Sequence, residues 1–247
     1  MSDDVKKYYV RFSNAEDYDK LMAFYQANPH KNVCDRHETL MRELADNGSI
    51  TIIEGEDGKI VGSSISYPLM GENDKNSQKW LEIGTTRIVL NGYPGLFDVM
   101  IAMQTLRAYL VEPPDERFVC QMESPAVRKM ADNLGFRPFV PSDELVRVSD
   151  ATVSATESSG KENWYSAGPE ALPVVARRMI EAIDKPYIQH LKKDEKIKLD
   201  FSKSKFFRMF EEEFRDLAKR DFGNPDQPDY KQSMVQSRQK WMRWYFK

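Results

Sequence analysis

Apolar and polar positions along this chain change period several times, and each change marks an element. Tyr8–Phe12 reads as a short strand that opens the fold. Ser13-Asn14-Ala15-Glu16 follows with the form of a capping box, in which the two ends satisfy each other's unpaired amides. Tyr18, Leu21, Met22 and Tyr25 then recur at helical spacing until Asn28-Pro29 ends the helix. A second helix, over 36–47, stops at Gly48, a residue suited to a left-handed cap. Strands are expected over Ser49–Glu54 and Lys59–Leu69. They are joined through Asp57-Gly58, the dipeptide that supplies positive φ for a tight hairpin turn.

A polar loop over 71–79 leads into a strand over Lys79–Leu90. After Gly92-Tyr93-Pro94-Gly95 comes a helix from Leu96 to Val111. Leu96, Met100, Met103, Leu106 and Leu110 line one face, and Val99 and Ile101 widen it, so the helix is expected at the centre of the fold. Arg117–Met122 reads as a strand. Ser124 and Pro125 then open a helix as N-cap and first residue, and Leu134-Gly135 closes it. Phe136–Pro141 and Glu144–Ser149 read as a closing antiparallel pair. The order is that of a mixed α/β domain with two strand–loop–helix units near its middle.

Beyond residue 150 the run Ala-Thr-Val-Ser-Ala-Thr-Glu-Ser-Ser-Gly is small and polar, the composition of a linker. The expected organisation is a domain over 1–150, a linker over 151–162 and a mostly helical region over 163–247. In that last region helices are read over 169–191 and 202–221. Phe206, Phe210, Phe214 and Leu217 form a stripe suited to docking against the main domain.

Charge sharpens this division. The whole chain has 36 basic and 39 acidic side chains, net −3, which does not suggest a dedicated nucleic-acid binder. Residues 1–150 carry 17 basic and 24 acidic groups, and the remainder carries 19 and 15. Lys231–Lys247 holds five basic and no acidic residues among Trp241, Trp244, Tyr245 and Phe246. Packing onto the acidic domain, an oligomer or protein-partner contact, and a nucleic-acid or membrane surface all remain open for this tail, in that order. No apolar run reaches the length of about 18 residues read as a transmembrane helix. The Met-Ser-Asp-Asp start has no apolar segment of a secretory signal. Cys34 and Cys120 lie outside any C-x-x-C pair, which fits a reducing cytoplasm. His30, His37 and His190 are scattered, so no metal site is expected.

The stretch from Cys120 to Phe139 is a strand, then a helix capped by Ser124-Pro125, then Leu134-Gly135-Phe136-Arg137-Pro138. It resembles the acyl-CoA-binding half of the GNAT superfamily of N-acyltransferases, and the element order over 8–149 is similar to that family's. The resemblance implies a GNAT-like central mixed sheet flanked by helices. It also implies transfer of an acyl group, acetyl first, from acetyl-CoA or another acyl-CoA to an amine on a small molecule or protein. The family grips the donor's pyrophosphate between the fourth strand and the long helix, where unpaired amides and the helix dipole favour an anion. Here that loop is Leu90–Leu96, and the resemblance makes Asn91, Gly92, Tyr93, Gly95 and Leu96 cofactor-binding residues, with Arg87 just before them. The family's basic-or-Gln run with spaced glycines is absent, no Lys or Arg lies inside the loop, and Pro94 removes a donor.

By the same resemblance, the backbone amides of Ile88 and Val89 polarise the thioester and hold the pantetheine, and Ser124 bonds the pantetheine. Glu82 is the general base acting through water. The other reading of Glu82 is a solvated strand face or an ion pair with Arg87. Ala131 stands where the family places a proton-donating Tyr, with Tyr93 and Tyr109 as replacements. Cys120 reads as a buried core thiol. Two further functions stay open: a GNAT-fold binding or assembly subunit without acyl transfer, and an acyltransferase fed by an acyl-carrier protein.

Overall fold

The computed structural model describes residues 5–30, 36–72, 78–111, 117–153 and 160–220. Its strands are β1 (Lys6–Phe12), β2 (Ile50–Gly55), β3 (Ile60–Met70), β4 (Gln78–Ile88), β5 (Arg117–Gln121), β6 (Arg137–Pro138), β7 (Trp164–Ala167), β8 (Tyr187–Gln189) and β9 (Lys196–Asp200). Its α-helices are α1 (Tyr18–Ala27), α2 (Glu38–Asp46), α3 (Leu96–Val111), α4 (Pro125–Asn133), α5 (Asp143–Asp150), α6 (Leu172–Asp184) and α7 (Lys205–Lys219). The strands form one mixed sheet in the order β6-β7-β5-β4-β3-β2-β1-β9-β8. Neighbours are antiparallel except β4 with β5 and β1 with β9, which are parallel. With helices flanking it, this is a GNAT-like α/β fold.

Local chemistry explains the elements that position the site. Gly58 takes a φ of 75° in the β2–β3 turn, and its amide bonds the Gly55 carbonyl. Every residue of α3 from Val99 to Val111 is buried. The helix packs on β2, β3 and β4 with one side and on α6 with the other, so most of its residues are apolar, and the buried Gln104, Thr105 and Arg107 donate to backbone carbonyls. The stripe on α7 docks as its spacing predicts: Phe206, Phe210 and Phe214 join the main core cluster, and the Phe206 ring meets Phe12 of β1 edge-on at 5.3 Å.

Three expectations are corrected. The capping box sits one residue later than read, as Asn14 with Asp17, because Arg11 draws the Asp17 carboxylate to within 2.6 Å; the Ser13 hydroxyl instead donates to the Ala45 carbonyl. Glu144–Ser149 is not a strand. Ser142 accepts a hydrogen bond from the Leu145 amide, and Leu145, Val146 and Ser149 are buried at helical spacing, which makes this segment α5. The strand partner of β6 is β7, and β7 lies between β6 and β5, antiparallel to both.

That last pairing bears on the boundary expected near residue 150. Residues 163–220 hold α6 and α7 but also supply β7, β8 and β9 to the same sheet, and the helix expected over 169–191 ends at Asp184, with Tyr187–Gln189 forming β8. Short strands carry too few residues for a periodic signal, and their partners lie far away in sequence. The basic tail 231–247 lies outside the described residues. A chain ended at residue 150 is expected to stay unfolded, since it lacks β7 beside β5 and the helices that cover α3. Circular dichroism and amide dispersion of that fragment check this; a cooperative thermal transition would contradict it.

Candidate active site: a cleft where two parallel strands part

β4 and β5 pair only over Trp80–Glu82 and Arg117–Val119. Beyond that point β4 departs, while β7 stays paired with Phe118–Gln121 along the other edge of β5. The cause is a bulge. Ser63 faces Arg87 and Ile65 faces Gly84, so Thr85 and Thr86 together oppose Ser64. An extra residue bends a strand and re-aims its edge. Thr85 carries a φ of 48°, which a β-branched residue seldom adopts.

Bonds from three separate elements hold this backbone. The Tyr67 hydroxyl donates to Thr85 Oγ1, Arg36 Nε reaches the same oxygen at 3.3 Å, and the Tyr25 hydroxyl lies 3.4 Å from the Thr85 carbonyl. Ser64 and Thr86 share a hydroxyl bond of 2.8 Å. Burial pushes the Tyr67 phenol up to about 12 despite the nearby Arg36, so it stays a neutral donor.

The parted strands enclose a cleft of about 750 Å³, with Ile83–Val89 and Asn91 on one wall and Cys120–Ser124 on the other. The Val89 amide donates to the Val61 carbonyl at 2.9 Å. Alternate residues of an antiparallel strand send their amides to opposite edges, so the Ile88 amide faces the cleft. Of the expected Ile88–Val89 pair, the Ile88 amide points into the cleft and the Val89 amide is already bonded to β3.

The other expected residues divide. Asn91 and Ser124 line the cleft, and Ser124 N-caps α4 without a side-chain bond to the helix. Arg87 is buried at the cleft wall, but its Nη1 donates to the carbonyls of Tyr25 at 2.7 Å and Asn28 at 3.0 Å, tying α1 to β4. Gly92, Tyr93, Gly95 and Leu96 do not line the cleft. Tyr93 packs edge-on against His190 at 4.9 Å, and Leu96 is in the core. Ala131 and Tyr109 are buried in the same core. Cys120 meets the core-thiol expectation: burial pushes its thiol up, and Sγ turns toward the Tyr165 carbonyl.

Glu82 sits at the point where the strands begin to part. Its carboxylate pairs with Arg36 Nη2 at 2.9 Å and accepts from the Ser149 hydroxyl at 2.6 Å. The ion-pair partner is therefore Arg36, not Arg87. Arg36 also lies over the Tyr67 ring at 3.8 Å, and Thr152 receives its other amine. Arg36, Tyr67, Tyr25 and Thr85 were missed in the sequence. Their one trace is Gly84-Thr85-Thr86, a small and polar interruption of a largely apolar strand.

No family model matches the chain, and no curated protein does. Many of the solved structures similar to it are N-acetyltransferases of the GNAT superfamily. Diaminobutyrate acetyltransferase from Paenibacillus lautus, in complex with L-2,4-diaminobutyric acid and coenzyme A, is 14% identical with a TM-score of 0.43; the match covers 66% of this chain and 96% of that one. Polyamine N-acetyltransferase from Drosophila melanogaster is 13% identical with a TM-score of 0.41, over 53% and 83% of the two chains. A phosphinothricin acetyltransferase from Sinorhizobium meliloti, in complex with acetyl-CoA, is 14% identical with a TM-score of 0.41, over 54% and 75%. The mixed sheet flanked by helices is consistent with the GNAT-like fold that the resemblance implied.

Replacing Arg36 with Ala leaves the Glu82 carboxylate buried without its cation, and urea unfolding is expected to show a loss of about 3–5 kcal/mol. The double replacement R36M/E82M is expected to recover most of that loss. A cost below about 1 kcal/mol for the single change would show that the pair does not hold this region together.

Proposed function

We propose that this chain is a GNAT-type N-acyltransferase that moves an acyl group, acetyl first, from an acyl-CoA thioester to an amine. The observation that carries this reading is the cleft between the parted β4 and β5, with the Ile88 amide aimed into it past the Thr85 bulge. A thioester arm lying along β4 takes the place of the missing strand pairing, and its carbonyl accepts from the Ile88 amide. The amine nitrogen attacks that carbonyl, the C–N bond forms and the oxygen becomes an oxyanion held by the amide. The C–S bond then breaks, the amine's proton passes to a base, and the thiolate leaves and is protonated. Glu82 does not line the cleft but adjoins Ile83 of its wall, and in this reading it takes the amine's proton through water while paired with Arg36 and Ser149. The acceptor is a small-molecule or protein amine, and the reducing cytoplasm is the compartment this reading implies.

A second reading, a GNAT-fold binding or assembly subunit without acyl transfer, is favoured by the enclosure of Glu82 between Arg36 and Ser149 and by the buried Ala131. Thiol release from acetyl-CoA across a panel of amines separates the two. The enzyme reading expects turnover with at least one amine, and Glu82→Gln is expected to lower kcat by about 10²- to 10⁴-fold while the KM for acetyl-CoA stays near its original value. Unchanged kcat would remove Glu82 from its role, and coenzyme A binding without any thiol release would favour the subunit.

A further inference from the structure

A loop between a strand and a helix grips a diphosphate when the backbone lets the anion come close and the helix N-terminus is free to meet it. In this chain both conditions are already used internally. Gly92 has a φ of 85°, and a Cβ on it would stand 2.3 Å from His190 Nε2. The face that only a glycine leaves open is therefore filled by the imidazole. The imidazole is fixed there: its Nδ1 accepts from the Lys192 and Lys193 amides at 3.0 and 3.1 Å, and the Leu191 amide bonds the Gly92 carbonyl at 2.8 Å. Gly95 repeats the arrangement with Arg178, whose Nη2 lies 2.1 Å from where a Cβ would be.

The N-terminus of α3 is also engaged. Asp98 in its first turn brings a carboxylate to the positive end of the helix dipole, and Arg178 Nε lies 3.5 Å from it. The Asp98–Arg178 pair therefore already occupies the helix end that a diphosphate would meet. Arg87 is committed to the Tyr25 and Asn28 carbonyls. The cleft follows β4 from Ile83 to Ile88 and continues to Asn91; on α3 it touches Phe97 and Ile101, and it takes in none of Gly92–Leu96.

Building on the acyltransferase reading, we infer that the donor is recognised through its pantetheine arm and acyl group, and that its adenosine phosphates add little. The donor class is pantetheine thioesters, whether the arm is carried by coenzyme A or by the phosphopantetheine of a carrier protein. The glycines at 92 and 95 serve the close approach of His190 and Arg178.

Calorimetric titration of the full chain with coenzyme A, with pantetheine and with adenosine 3′,5′-bisphosphate tests this. Pantetheine is expected to bind within about tenfold of coenzyme A, and the bisphosphate is expected not to compete with either. Coenzyme A binding about a hundredfold or more tighter than pantetheine, or displacement by the bisphosphate, would overturn the inference and leave the acyltransferase reading standing. Binding of neither thiol would overturn both. A holo-carrier protein as a further titrant separates the sources: binding tighter than free pantetheine assigns the arm to a carrier, and weaker binding assigns it to a free thioester.

Discussion

The arrangement depends on one backbone distortion, the bulge at Thr85 and Thr86. A parallel pair such as β4 and β5 gains a hydrogen bond for each residue it keeps in register, so strands do not part without a cause. Here the extra residue turns the β4 edge away from β5 after Glu82, while β5 keeps its pairing with β7 along Phe118–Gln121 on the other side. A left-handed threonine costs about 1–2 kcal/mol in isolation. The hydroxyls of Tyr67 and Tyr25 and the guanidinium of Arg36 offset that cost. The same Arg36 neutralises Glu82, so the geometry of the cleft and the state of the candidate base are coupled through one side chain.

The rest of the molecule supports this distortion. α3 is buried from both sides, with the sheet beneath and α6 above, and the Leu96 end of the helix cannot shift without disturbing the core. β9 and β8 extend the sheet beyond β1, and Arg11, Asp17, Glu54 and Lys203 form a chain of ion pairs linking β1, β2 and the turn before α7. The segment between β8 and β9 folds back onto the loop before α3 through His190 and Leu191. One region thus completes the sheet and fills the glycine faces beside the cleft.

What was legible in the sequence follows from the range of the forces involved. The hairpin at Asp57-Gly58 and the stop at Gly48 were readable because positive φ is a local demand that glycine answers. α3, the Ser124-Pro125 start of α4 and the aromatic stripe of α7 were readable because one face repeats over several turns. α5 was not, because Leu145, Val146 and Val148 suit a strand as well as a helix, and the decision falls to the Ser142 cap and the packing against β3. β7 was not, because it is only four residues long and owes its strand form to pairing with β5 and β6. In the candidate site, Ile88, Asn91 and Ser124 were reachable through the family resemblance. Arg36, Tyr25 and Tyr67 were not, since each lies 18 to 60 residues from the Thr85 it holds.

The central claim is that a thioester donor lies in the cleft along β4 and accepts a hydrogen bond from the Ile88 amide. Backbone amide spectra of the ¹⁵N-labelled chain, recorded while acetyl-CoA is added, test it most directly. The account predicts saturable shifts at Ile88, Asn91 and Ser124, with the Val89 amide, already bonded to Val61, moving less. Saturable binding that leaves Ile88 unmoved and shifts residues away from β4 and β5 would contradict it.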